Sequence, residues 1–253
     1  MKAIGKYLVI GLAILLSAWV LGKSYTYKYR TQDRIVVTGL GETEFTSDLI
    51  VWRGMVTAES SNVEQGYAQI EASKRKVSDY IAMRGIPAEA VVFEFVNVNK
   101  QYESIYANGN WAGQRFTGYR LTQGFTIESR DVEAVENISR EISSLIAQGV
   151  SIEASQPDYY YTRLDDVKLG LIEKASADAR IRADKIARNA GAKIGGVASA
   201  RMGVFQITGA NTNEEFSAGG SFNTSSRQKK ARITMRVEYL SLIHISEPTR
   251  QAE

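Results

Sequence analysis

Three aspartates, Asp158, Asp165 and Asp166, flank a run of three tyrosines, Tyr159 to Tyr161. Paired carboxylates can exchange protons with a substrate or hold calcium, and tyrosine rings can stack on a sugar or a partner surface. The competing reading assigns Asp165 or Asp166 to a helix N-cap and the tyrosines to a core or a subunit interface, and it is preferred. Ser-x-x-Lys occurs twice, at Ser73 and Lys76 and at Ser226 and Lys229. In penicillin-interacting enzymes that spacing lets lysine activate serine, but neither Lys-Thr-Gly nor Ser-Asp-Asn accompanies it here, so chance accounts for both. "GLGETE", Gly39 to Glu44, begins like a dinucleotide fingerprint. Its third glycine position is Glu44 and a strand follows where a helix is required, so glycines relieving a tight backbone approach are the better account.

The single histidine, His244, lies in "LSLIHISEPTR", Leu240 to Arg250. That string matches the translation of a transposon-library sequencing adapter, so residues 241–253 are set aside as a non-native scar, with Leu240 ambiguous. What precedes them contains neither histidine nor cysteine. The usual general base near neutral pH is then absent, as are the ligands of a zinc or copper site and any disulfide. No catalytic, cofactor-binding or metal-binding residue is assigned, and no cofactor is expected. Of the 31 basic residues, the first thirty positions hold Lys2, Lys6, Lys23, Lys28 and Arg30 and no acid. Residues 31–240 are close to neutral, which does not indicate a nucleic-acid partner.

The elements that must position these groups follow from periodicity. Lys6 and Lys23 bracket an uncharged apolar run, Tyr7 to Gly22, with Trp19, Tyr25, Tyr27 and Tyr29 as an interfacial belt. Residues 1–30 therefore read as a signal anchor, with a cleaved signal peptide as the alternative. Residues 31–240 form the remaining domain. "RIVVTGLGE" and "LIVWRGMVTAES" are strands, the second burying Ile50, Trp52, Val56 and Ala58. A helix follows, with Ser61 and Glu64 at capping-box spacing and a stripe of Val63, Tyr67, Ile70, Val77 and Ile81. "AVVFEFVNVNKQYESIYA" alternates with period two, Val91, Phe93, Phe95 and Asn97 opposing Val92, Glu94, Val96 and Val98. It turns at "NGNWAG" into "RFTGYRLTQGFTIES", a long hairpin.

A second helix runs from about Asp131 to Gln148 on Val135, Ile138, Ile142 and Leu145 and stops at Gly149. "VSIEASQPDYYYTRL" is a strand in which Pro157 signals an edge or bulge. A third helix, Asp165 to Ala190, carries Leu169, Ile172, Ala179, Ala183, Ile186 and Ala190 on its expected stripe. Two closing strands flank a polar segment, Asn211 to Ser226, expected to be mobile. The basic run "SSRQKKAR", Ser225 to Arg232, reads as a solvated strand edge. The fold class is α+β: antiparallel sheets with helices packed on one face, two small α/β sandwich subdomains after an N-terminal anchor helix.

Three stretches together resemble the SIMPL-domain family, similar to the periplasmic immunogenic antigens of Gram-negative bacteria. They are the opening "IVVTGLGETEFTSDLIVW", the alanine-spaced helix running into "IARNAGAKIGGV", and the closing "KKARITMRVEYL". The resemblance covers about Arg34 to Tyr239. It implies a two-part α+β fold, an envelope location facing the periplasm, ring assembly in some relatives, and no established catalytic residues. The expected protein is non-enzymatic, anchored in the inner membrane or released to the periplasm if its N-terminus is cleaved, and self-assembling. Its expected role is accessory, in envelope integrity or stress response. The alternative is an extracytoplasmic ligand- or protein-binding module, and behind it a carboxylate-based hydrolase. Expected partners are a second copy of the chain and the membrane.

Overall fold

The computed structural model describes residues 2–30, 34–214 and 217–242, with side chains within the first range for 11–25 only and in the last range as far as 241. The chain is α+β, with four α-helices and two five-stranded sheets among the described residues, one sheet antiparallel throughout and one mixed. His244 and most of the adapter-like string lie outside the described residues.

Helix α1, Lys2–Arg30, comes first. Its described apolar side chains, among them Leu12, Leu15, Trp19 and Leu21, stand exposed. Among the described residues no helix is long and apolar enough to cross a membrane.

Strands β1, Arg34–Thr46, and β2, Leu49–Ser60, are separated by only Ser47 and Asp48, yet belong to different sheets. β2 buries Ile50, Trp52, Val56 and Ala58, the alternation expected of it. It is the centre of one sheet, between β4, Asn110–Ser129, and two short strands, β5, Ser151–Ala154, and β6, Asp158–Tyr160. The segment read as one strand breaks around Pro157, which has no N–H for the ladder.

Helices α2, Val63–Ala82, and α3, Val132–Glu141, cover one face of this sheet. The α2 cap is Asn62, whose side chain accepts from Glu64 N and Gln65 N, in place of the expected Ser61 box. Val63 and Tyr67 are exposed and the buried stripe runs through Gly66, Ile70, Ser73, Val77 and Ile81. α3 has the Asp131 cap and the buried Val135 and Ile138. Its continuation tightens into a 3-10 turn, Ile142–Gln148, that buries Ile142 and Leu145. Gly149 ends it at φ 79°, a left-handed conformation that glycine adopts without steric cost.

The hairpin of β3, Val91–Ala107, with β4 turns at Asn108 and Gly109, both at positive φ, as a two-residue turn of this hand requires. The alternation expected across 91–98 fails. The register slips between Phe93 and Val96, so Val96 rejoins the core side and Phe95 is turned out to 75% exposure. One extra residue in a strand exchanges its faces. From Gln101 and Gly118 outward the hairpin pairs with no third strand and forms a two-stranded ribbon.

The other sheet is built around β10, Gln228–Leu242, which pairs antiparallel with β1 along its length, from Arg34 opposite Leu240 to Thr46 opposite Gln228. Its other side takes β7, Lys193–Met202, and β8, Gln206–Gly209, and β8 continues to β9, Ser221–Phe222, in parallel. β10 extends to Ser241 and Leu242, opposite Ile194 and Lys193. The ladder uses backbone groups alone, so it admits these two residues whatever their origin.

Helix α4, Leu164–Asn189, lies across β1 and β10. Its buried stripe is Leu171, Ala175, Ala179, Ala183 and Ala187, a strict four-residue spacing. Of the expected stripe, Ala179 and Ala183 lie on it, whereas Leu169 and Ile186 are exposed. The cause is the strand beneath. A Cβ on Gly39 would stand 2.1 Å from Ala175 O, and one on Gly41 2.3 Å from Leu171 O. Helix and strand approach so closely that only glycine fits on the strand at 39 and 41, and alanine at 175 and 179 faces Gly39 from the helix. Between the two glycines, Leu40 N donates to Asp178 Oδ2 at 2.8 Å, and Lys174 Nζ reaches Glu42 O at 3.3 Å. The hydrogen bond from Leu40, with Arg182 beside it, holds the Asp178 carboxyl below its ordinary range. The helix therefore satisfies the open edge of β1 as well as covering its face.

In the polar segment expected to be mobile, the described residues 211–214 and 217–226 include a hydrogen-bonded turn around Asn223. Asn223 is buried, donates to Glu214 and Ser225 Oγ, and accepts from Ser226 N at 2.9 Å. The run 225–232 is not a solvated edge, because β10 is paired on both sides. Lys230 and Arg232 pair with Glu42, Arg227 with Glu136, and Lys229 is buried.

Candidate functional site

The two sheets have separate hydrophobic cores, and polar groups join them. Tyr159 N donates to Thr224 O at 2.7 Å, and Thr224 Oγ1 donates to Asp158 Oδ1 at 3.0 Å. Asp158 also pairs with Arg53 at 2.8 Å. The buried Glu136 of α3 accepts from Tyr159 Oη at 2.7 Å and from Arg227 Nη1 at 3.0 Å. Burial first, and the Glu136 hydrogen bond second, push the Tyr159 hydroxyl up to about 12. Rings meet across the junction too, Phe45 and Tyr161 at 4.8 Å.

Asp158, Tyr159 and Tyr161 are therefore occupied in holding the two halves together, while Tyr160 pairs with Leu49 inside its own sheet. Asp165 is exposed and pairs with Lys168 at 3.2 Å, and Asp166 is also exposed. Neither caps α4, whose N-cap position is Arg163 with no side-chain cap bond; both stand in its first turn, where the helix dipole favours them. Among the described residues no group of three or more His, Cys, Asp and Glu is placed to hold a metal ion. The two Ser-x-x-Lys pairs do not assemble either. Lys76 Nζ donates to Gln148 O at 2.6 Å, and Lys229 Nζ donates to Asn223 O.

Lys229 is 1% exposed. Burial lowers its ammonium to about 8, against the opposing influence of Glu214 and Asp158. Between pH 8 and the ordinary lysine value the unfolded chain holds a proton that the folded chain has released, so this group makes stability rise with pH there. Wild type should gain about 2 kcal/mol relative to Lys229→Met between pH 7.5 and 10.5. Urea unfolding of both proteins across that range checks it, and parallel pH profiles would refute it.

At the same junction lies a cleft of about 730 Å³ lined by Ser47, Asp48, Arg130, Asp131, Val132, Glu133, Thr162, Arg163 and Arg227. These residues come from the first turn of α3 and from four connections: β1 to β2, β4 to α3, β6 to α4, and the approach to β10. Asp48 accepts from Thr162 N and Thr162 Oγ1, both at 2.7 Å, which fixes the two crossings between sheets against each other. Residues so far apart in sequence carry no periodic signal that would group them. The only partial hint was the helix-start pattern at Asp131.

The chain matches the family described as SIMPL, protein of unknown function (DUF541), over residues 35–239. It belongs to that family. The match runs from the second residue of β1 to Tyr239 near the end of β10, and so includes both sheets. No curated protein matches the chain.

Proposed function

We propose that the protein is a non-enzymatic component of the cell envelope that assembles with further copies of itself, in an accessory role in envelope integrity or stress response. The observation that carries this reading is the β3–β4 ribbon. β3 is the outermost strand of its sheet for all 17 of its residues, and it displays Val92, Phe95, Val98, Tyr102, Ile105 and Tyr106 to solvent. Trp111 and Phe116 add to the surface from β4. Long apolar edge strands are templates for pairing, and an isolated two-stranded ribbon is marginal in water. The contrast within the molecule is direct: the β1 edge is capped by Asp178 and Lys174, whereas β3 has no such cover among the described residues.

The membrane anchor is part of the proposal. Its support is the uncharged run between Lys6 and Lys23 and the exposed apolar side chains of α1, with Lys23 Nζ over the Trp19 ring at 4.6 Å. This arrangement suits the end of a lipid-embedded stretch at a lipid–water boundary, and a periplasmic position for the sheets is part of the same proposal. Light scattering of the full chain in detergent, across a concentration range, tests the assembly. A discrete multimer is expected; a monomer at every concentration would refute it. The second reading, an extracytoplasmic binding module, is favoured by the junction cleft.

A further inference from the structure

We propose that the cleft between the two sheets binds a phosphate group, as the free ion or as the head of a small phosphomonoester. Three guanidinium groups, of Arg130, Arg163 and Arg227, line it, and the N-terminus of α3 opens into it at Asp131, Val132 and Glu133. Helix N-termini and arginine forks both favour dianionic oxygen ligands. Neither Arg130 nor Arg163 forms an ion pair among the described residues, and Arg163 has only the Tyr161 ring at 5.8 Å. Arg227 uses Nη1 on Glu136, while its Nε is buried with no hydrogen-bond partner.

Ser47 supplies the independent sign of a ligand. It is 4% exposed, it lines the cleft, and its Oγ has no partner. Buried hydroxyls are ordinarily satisfied, because leaving one unpaired costs about 1–3 kcal/mol. A phosphate oxygen beside Ser47 and Arg227 would accept from Oγ and Nε together.

The carboxylates of the cleft need an account. Asp48 is committed to Thr162, and Asp131 Oδ1 accepts from Ala134 N at 3.0 Å. Glu133 is exposed and opposes an anion through solvent. A ligand at this place would touch both crossings between the sheets, and so would tie the halves together.

Thermal unfolding of the full chain in detergent, followed by circular dichroism, tests the proposal. Inorganic phosphate and glycerol phosphate are titrated against sodium chloride at matched ionic strength. A saturable rise in Tm with phosphate is expected. Arg130→Gln and Arg163→Gln should leave the phosphate-free Tm unchanged and weaken apparent affinity about tenfold each. Glu133→Gln should strengthen it several-fold. Tighter binding of glycerol phosphate than of phosphate assigns the ester; equal affinity assigns the ion. A Tm rise reproduced by sodium chloride, or affinities unchanged across the three variants, would overturn the proposal.

Discussion

Gly39→Ala should cost about 4 kcal/mol of stability, a large part of what a domain of this size has. The added Cβ would meet Ala175 O at 2.1 Å, Ala179 N at 2.5 Å and Ala179 Cβ at 2.7 Å. The two nearest of these are backbone atoms, so no rotamer change relieves them. Strand β1 cannot retreat, because its register with β10 is fixed over 13 residue pairs. The helix must lift, and with it the seam of Leu171, Ala175, Ala179 and Ala183 in the core of that half. Ala175→Gly should not rescue the variant, since the clash is with the carbonyl and not the methyl. Gly196→Ala is the control: open space surrounds it, so a change within about 0.5 kcal/mol is expected. Urea denaturation followed by far-ultraviolet circular dichroism measures all three. A Gly39→Ala loss under 1 kcal/mol would mean that helix and strand are not in this contact. Trp52 lies in the other core, so its fluorescence, with Trp19 and Trp111 replaced by phenylalanine, reports whether that half survives when α4 leaves.

Replacing the ribbon aromatics should convert the proposed assembly to monomers without unfolding the chain. Tyr106 is 66% and Trp111 65% exposed, and the two are opposite each other across the hairpin. A Tyr106→Ser, Trp111→Ser double variant removes two large side chains that make no core contact. Unfolding midpoints should move by less than about 0.5 kcal/mol, while the dissociation constant rises by two or more orders of magnitude. Light scattering and analytical ultracentrifugation read the second effect; urea unfolding reads the first. An undiminished multimer would place the interface elsewhere. Phe116 is left in place because it packs on Tyr102 and Tyr119 at 5.8 and 5.1 Å and helps hold the ribbon together.

Much of the fold was legible because alternation and capping are local. Asn108 and Gly109 specified the hairpin turn, Asp131 the start of α3, and Gly149 the stop after it. The face of α4 was misread because large apolar residues were weighted above alanine. Its true face is set by Gly39 and Gly41, some 130 residues away in the chain, which exclude anything larger. The slip between Phe93 and Val96 was invisible for a similar reason: a bulge depends on the partner strand. Lys229 reads as a surface charge, and only the Asn223 turn gives its ammonium an acceptor inside. Of the candidate site, the three arginines are ordinary connector residues, and tertiary packing alone brings them together.

The pairing of Arg34 with Leu240 sets how the molecule responds to a pull. The two ends of the family domain lie side by side on antiparallel strands, so tension between them opens β1 from β10 one rung after another. Such a zipper yields at lower load than strands sheared along their length, where many rungs must break at once. The sheet centred on β2 is spliced in between β1 and α4, and its entry and exit are clamped together by Asp48 and Thr162. That half lies outside the load path until the other half has opened. Under tension between those two ends the half built on β1 and β10 would give way first, with the half that bears the ribbon still folded.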